Sequence, residues 1–183
     1  MVNHRGIARS IMRPLLIWGL ALLIPVLLVL GSVRLVMTPQ FLQLEYQRPG
    51  FPEDSYGFTT ADRLYYAPFA IAYLLNDAPL AYLGDLTFAD GAQLYQASEL
   101  QHMADVKTVT RTAFAVLLWG SLGAVLVIAL LWTRDRSALA LALLRGGLLT
   151  VGGIVVIVFG VIIAWDSFFT TFHQLFFQDG TWI

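Results

Sequence analysis

A chain of 183 residues that is 58% hydrophobic and only 13% charged lacks the charged complement, roughly a quarter of residues, that a soluble surface needs. Its mean hydropathy of +0.72 assigns much of it to lipid. Eleven Lys and Arg against twelve Asp and Glu leave a net charge of -1, with no basic stripe to follow a phosphate backbone, so nucleic acid is excluded as a partner. Cysteine is absent, which excludes disulfide scaffolds, thiol nucleophiles and Cys-ligated zinc or iron–sulfur clusters.

In chain order, residues 1–13 form a basic leader containing Arg5, Arg9 and Arg13. The apolar run 14–33 that follows is 20 residues long, about 30 Å of helix, enough for a bilayer core. No small-x-small cleavage site follows it, so it is expected to remain as an anchor. Pro25 is expected to bend it. The stretch 34–111 is a cap that must lean on the membrane. Within it, 38–56 contains Pro39, Pro49, Gly50 and Pro52 and reads as irregular chain. A helix is expected from a Thr59 or Thr60 cap, carrying Leu64, Tyr65, Tyr66, Phe69, Tyr73 and Leu74, with Pro68 as a point of kinking or splitting. After the turn-rich 86–91, no breaker occurs from Ala92 to Gly120, so one helix is expected to run on into a second span at 112–132. A link, 133–142, precedes a third span at 143–165, on which Gly146, Thr150, Gly153, Gly160 and Ala164 make one small-residue packing face. The remainder, 166–183, is an interfacial aromatic segment. The fold class expected is an all-α integral membrane protein with three transmembrane helices and an extracytoplasmic helical cap.

Charge orients it. With the N-terminus and the 133–142 link in the cytoplasm, that side holds Arg5, Arg9, Arg13, Arg134, Arg136 and Arg145 against Asp135 alone, and the other side holds five basic residues against eleven acids. The bias is positive inside. The protein is therefore expected in the cell membrane as a multi-pass chain, N-terminus cytoplasmic, with the cap and the residues after Trp165 on the outer face.

The three histidines are the most informative residues. His4 lies in the basic leader and reads as solvated. His102 and His173 fall on the outer side, ten residues before the second span and eight after the third. Spans joined by a short link are neighbours, so these two imidazoles are expected to meet. Glu99 and Asp105 lie one helical turn either side of His102 and are candidates to orient its ring. His173 stands among Phe168, Phe169, Phe172, Phe176 and Phe177, a greasy setting at the depth of ester carbonyls. No phosphate loop, Gly-x-Ser-x-Gly elbow or His-Glu-x-x-His pair is present, which disfavours a covalent acyl-enzyme.

Four segments, Tyr56-Gly57-Phe58, Asp62-Arg63-Leu64, Glu99-Leu100-Gln101-His102-Met103-Ala104-Asp105-Val106-Lys107, and Trp165-Asp166 to Trp182 with its Phe172-His173-x-x-Phe176-Phe177 core, resemble the lipoprotein intramolecular transacylase (Lit) family of bacterial membrane proteins. The resemblance runs from about Pro14 to the end. It implies transfer of the sn-2 acyl chain of a diacylglyceryl-modified N-terminal cysteine to that cysteine's own α-amine, leaving a lyso-lipoprotein. It also implies His102 and His173 as the catalytic pair, with no cofactor. The partners implied are the diacylglyceryl-modified lipoprotein substrate and membrane lipid. Glu99, Asp105 and Arg63 are supporting candidates, Arg63 or a backbone N–H near Phe172 as an oxyanion donor, and Phe169, Phe172 and Phe176 are candidates to receive the acyl chain. The family's pattern implies a fourth span after the Phe-His-x-x-Phe-Phe segment, which is missing from this sequence. Two other readings compete: a non-enzymatic membrane partner subunit, and a metal-dependent membrane enzyme using Glu99, His102 and His173, since Glu99-x-x-His102 has the spacing of di-metal helix-bundle sites but occurs once.

Overall fold

The computed structural model describes residues 4–177, with side chains from residue 11 onward. Residues 1–3 of the leader, the His4 side chain and residues 178–183 of the interfacial segment lie outside the described residues. Among those described are seven helices: α1 His4–Val36, α2 Pro39–Tyr46, α3 Thr60–Leu75, α4 Ala81–Gly84, α5 Ala97–Arg134, α6 Arg136–Ile163 and α7 Trp165–Phe176. The only β pairing among them is an isolated antiparallel bridge, Thr87 to Gln93. Three helices are long and apolar enough to cross a membrane, over Ile11–Val36, Ala97–Arg134 and Arg136–Ile163. The chain is an all-α membrane-spanning protein, and its contacts divide it into two units, the first of Met1–Gly31 with Ala115–Phe168, the second of Ser32–Phe114 with Phe169–Ile183.

In the first unit the core is narrow. Ile17, Leu20, Ala124, Leu131, Ala138, Leu139 and Ala142 form one buried cluster, while the outward faces of α5 and α6 carry exposed Leu, Val and Ile. In lipid those faces gain nothing from hiding, so helix association rests on close packing, and small residues supply it. Gly146 is the tightest point: a Cβ there would stand 2.9 Å from Ile24 Cβ and 2.5 Å from its Cδ1. Of the expected small-residue face, Gly146 makes this contact, and Thr150 turns its hydroxyl back to the Gly146 carbonyl at 2.8 Å. A Cβ on Gly153 would meet nothing within 4 Å, and Gly153 lines a shallow apolar groove with Pro25, Val29 and Ile157.

Within the expected link 133–142 one residue lies outside a helix. Asp135 separates α5 from α6 and caps α6, its carboxylate accepting from Ala138 N–H at 2.9 Å and Ser137 Oγ at 2.7 Å. Arg13 Nε pairs with its other oxygen at 2.9 Å. The Ser137 hydroxyl, the Ala138 N–H and then Arg13 hold this carboxyl down at about 2. A saturated capping carboxylate lets α6 start one residue after α5 ends.

The second unit departs from expectation at its start. The start of the stretch 38–56, read as irregular chain, instead forms α2: Thr38 Oγ1 accepts from Phe41 N–H at 3.2 Å, and Pro39 sits at the first helical position, where its missing N–H is not needed. Gly50, Gly57 and Gly91 then take φ of +77°, +90° and +87°, turns that side chains resist. α3 opens on a capping box, Thr59 with Asp62, and the Thr59 hydroxyl and N–H hold the Asp62 carboxyl below its usual range. α3 continues unbroken through Pro68. Its C-terminal end is pinned to α5: Lys107 Nζ, 8% exposed, donates to Ala78 O at 2.6 Å and lies 3.9 Å over the Tyr73 ring. One turn on, Arg111 donates to Asn76 O at 2.9 Å and pairs with Asp77.

Candidate functional site

Both histidines that the sequence singles out belong to the second unit. His102 stands in the second turn of α5, which starts at Ala97 because the Glu99 carboxylate accepts from the Gln96 N–H at 2.6 Å and satisfies the helix end. His173 stands on α7, a strongly amphipathic helix that begins one residue after α6 stops at Ala164.

The rings face each other with centroids 6.4 Å apart and planes 30° apart. Phe177 packs against both, 4.8 Å from His102 and 5.7 Å from His173. Phe169 lies 3.9 Å from the His173 ring on its other side. Both imidazoles are half-buried.

Their hydrogen bonding differs. His173 Nδ1 is 2.8 Å from the Phe169 carbonyl; a carbonyl only accepts, so Nδ1 is the protonated nitrogen and a neutral ring carries its lone pair on Nε2. His102 Nδ1 is buried with no hydrogen-bond partner among the described residues. The two carboxylates expected to orient it are engaged elsewhere. Glu99 caps Gln96 and lies close enough to Tyr95 that, after burial, its charge is the second cause raising the phenol's pKa. Asp105 accepts from the Gln101 side-chain amide at 3.2 Å. Packing against Phe177, not a carboxylate, holds the His102 ring.

Of the remaining expected residues, Phe172 lies 5.5 Å from His173 and 5.1 Å from Phe176, and both phenylalanines are about half exposed. Arg63 is occupied on the cap: Nη1 donates to Pro52 O at 3.0 Å, Nη2 lies 3.6 Å from Asp54, and Phe51 stacks 5.2 Å below the guanidinium. It lines a cavity of about 300 Å³ with Asp54, Phe58 and Thr59, and these contacts tie α3 to the 51–54 loop. No group of three or more His, Asp or Glu able to hold a metal occurs among the described residues. Phe177, expected only as one of the phenylalanines around His173, also meets His102, a contact that its spacing of four from His173 does not signal.

Two half-buried imidazoles, walled by aromatic rings and carried by a membrane-spanning helical protein, define a class: helical membrane proteins with a facing histidine pair in an aromatic setting. The chain belongs to the lipoprotein intramolecular transacylase Lit family, whose model matches residues 18–183. It is similar to a protein of Aquifex aeolicus (strain VF5) described as uncharacterized, 28% identical over 96 residues, which is 52% of this chain and 44% of the relative. The chain thus aligns with less than half of that relative's length. No solved structure matches it.

Proposed function

We propose that this protein moves the sn-2 acyl chain of a diacylglyceryl-modified lipoprotein onto the α-amine of the lipoprotein's N-terminal cysteine, by acid/base catalysis through His102 and His173 at the outer face of the cell membrane. The observation that carries this is the facing pair of rings, 6.4 Å apart, in a chain of the transacylase family.

An α-amine has an ordinary pKa of about 8 and must lose a proton before it attacks an ester. His173 is the base, because its Nδ1–H is committed to the Phe169 carbonyl and Nε2 is the nitrogen that accepts. The neutral amine adds to the ester carbonyl carbon, and the carbonyl electrons move to oxygen. On collapse the C–O bond to the glyceryl oxygen breaks, and that oxygen takes a proton from His102. Between ammonium and amide the nitrogen loses two protons: the first, taken by His173 before attack, passes to water, and the second, taken by His173 from the tetrahedral adduct, balances the one His102 gives the alkoxide, so the products are an amide, a free sn-2 hydroxyl and one released proton. Amine nitrogen and leaving oxygen are bonded to one carbon, so rings at this separation suit hydrogen bonds of about 2.6–3.2 Å to each. Because amine and ester share one molecule, holding them in attack geometry lowers the barrier without a covalent enzyme intermediate. Phe169, Phe172 and Phe176 offer an apolar bed for the moving chain, and the half exposure of Phe172 and Phe176 suits contact with lipid.

The test is mass spectrometry of lipoproteins from a bacterial host that makes only diacyl forms. Expression of the wild-type chain should convert the N-terminal lipopeptide to the N-acyl, S-monoacylglyceryl form, with no change in total acyl mass. Absence of conversion by a correctly inserted chain rejects the activity, and conversion at the wild-type rate by His102→Ala or His173→Ala rejects the mechanism.

A further inference from the structure

A second site lies in the first unit, apart from the histidines in sequence and in kind. A cavity of about 480 Å³ is lined by Met12, Arg13, Leu16, Leu130, Leu131, Arg134 and Asp135. Its apolar part is Met12, Leu16, Leu130 and Leu131; its polar part is the two arginines and the aspartate. Charge bookkeeping across the polar part is uneven. The Asp135 carboxylate is fully used, by Arg13, by the Ser137 hydroxyl and by the Ala138 N–H. Arg13 is thereby neutralised and also donates to Ser137 Oγ at 3.3 Å. Arg134 ends α5 on the cavity wall, and among the described residues it has no ion-pair partner.

We infer that this cavity binds one anionic phospholipid of the surrounding membrane, its phosphodiester on the Arg134 guanidinium and its acyl chains along Met12, Leu16 and Leu130. The lining matches the ligand in kind, with Arg13 near the start of the first span, Arg134 and Asp135 at the α5–α6 turn, and Leu16 and Leu130 about one helical turn away along α1 and α5. A planar guanidinium takes a phosphate with two parallel hydrogen bonds. Trp132 and Trp18 strengthen the case for headgroup depth, each lying under an arginine, Arg136 at 4.9 Å and Arg145 at 4.4 Å, as tryptophan and arginine do at a bilayer interface. The bound lipid bridges α1 to the α5–α6 turn, adding to the Arg13–Asp135 pair, so its effect is read as stability of the membrane unit and does not depend on acyl transfer.

The full-length protein in neutral detergent is titrated with phosphatidylglycerol or phosphatidylcholine and followed by native mass spectrometry and thermal unfolding. Phosphatidylglycerol should bind at one equivalent and raise Tm, with phosphatidylcholine and soluble glycerol phosphate giving neither effect. Arg134→Gln should lower phosphatidylglycerol occupancy about five-fold while leaving the lipid-free Tm unchanged. Leu130→Trp, which fills the apolar end, should lower occupancy with all arginines present. Equal binding of both lipids, binding of glycerol phosphate alone, or full occupancy in Arg134→Gln would each overturn the site. If Arg134→Gln lowers the lipid-free Tm, Leu130→Trp decides: retained occupancy in it rejects the lipid.

Discussion

His102 and His173 carry the proposal, and their surroundings assign them different work. Replacing either with Ala should lower transfer by about 10²–10⁴-fold, with the helical circular dichroism spectrum unchanged. Phe177 touches both rings and donates no proton, so Phe177→Ala should slow transfer, by up to about 10²-fold if the rings shift by an ångström, while Phe177→Leu recovers part of the rate. Conversion assayed in membranes with matched protein levels checks both. Glu99 caps the start of α5 and bonds no imidazole nitrogen, so Glu99→Gln, which keeps a capping oxygen, should retain near wild-type transfer. A loss as deep as that of His102→Ala would restore it as an orienting group. Both histidines stand out in the sequence because only three are present. The absence of an orienting carboxylate is invisible there, because helical spacing brings Glu99 and Asp105 near the ring and says nothing of stronger partners nearby.

Helix contacts in the first unit depend on steric fit. At Gly146 a methyl would collide with Ile24 Cβ, an atom that cannot rotate away, so Gly146→Ala should destabilise by about 1–3 kcal/mol. Gly147→Ala, with nothing within 4 Å of its new methyl, should be neutral or gain helix propensity. Unfolding in detergent separates the pair. The α5–α6 turn should respond to acid. Asp135 has its carboxyl lowered from 3.8 to about 2 in the folded chain, so its contribution is present above about pH 4 and is lost as pH falls toward 2. The stability difference between wild type and Asp135→Asn, measured across that window, should shrink. At this scale the apolar runs, the Thr59 cap and the breaker-free stretch into the second span were legible. The opening of α2, the one-residue turn and the unbroken passage through Pro68 were not: each depends on a specific side-chain cap or neighbouring packing that overrides the local signal of proline or polarity.

Across the whole chain, topology is the remaining prediction. The positive-inside count predicts that the 133–142 segment is cytoplasmic and the cap outside. Because the natural sequence has no cysteine, single-cysteine variants report sidedness directly. Ser55→Cys should label with a membrane-impermeant maleimide in intact cells, and Ser137→Cys only after permeabilisation; the reverse pattern would put the histidines on the cytoplasmic side and remove the proposed substrate from reach.

Composition and run length by themselves determined that this is a helical membrane protein with three spans, since a chain so poor in charge cannot make a water-facing surface and an apolar run of about 20 residues pairs its own backbone groups in lipid as a helix. The residue pattern also marked which imidazoles to watch. Tertiary structure alone decided what touches them: Phe177 against both rings, the Phe169 carbonyl on His173 Nδ1, and the two carboxylates drawn to other donors. The reason is physical. Periodicity states which side of a helix a residue occupies, whereas a hydrogen bond or a ring contact is won by whichever group packing brings within about 3–5 Å.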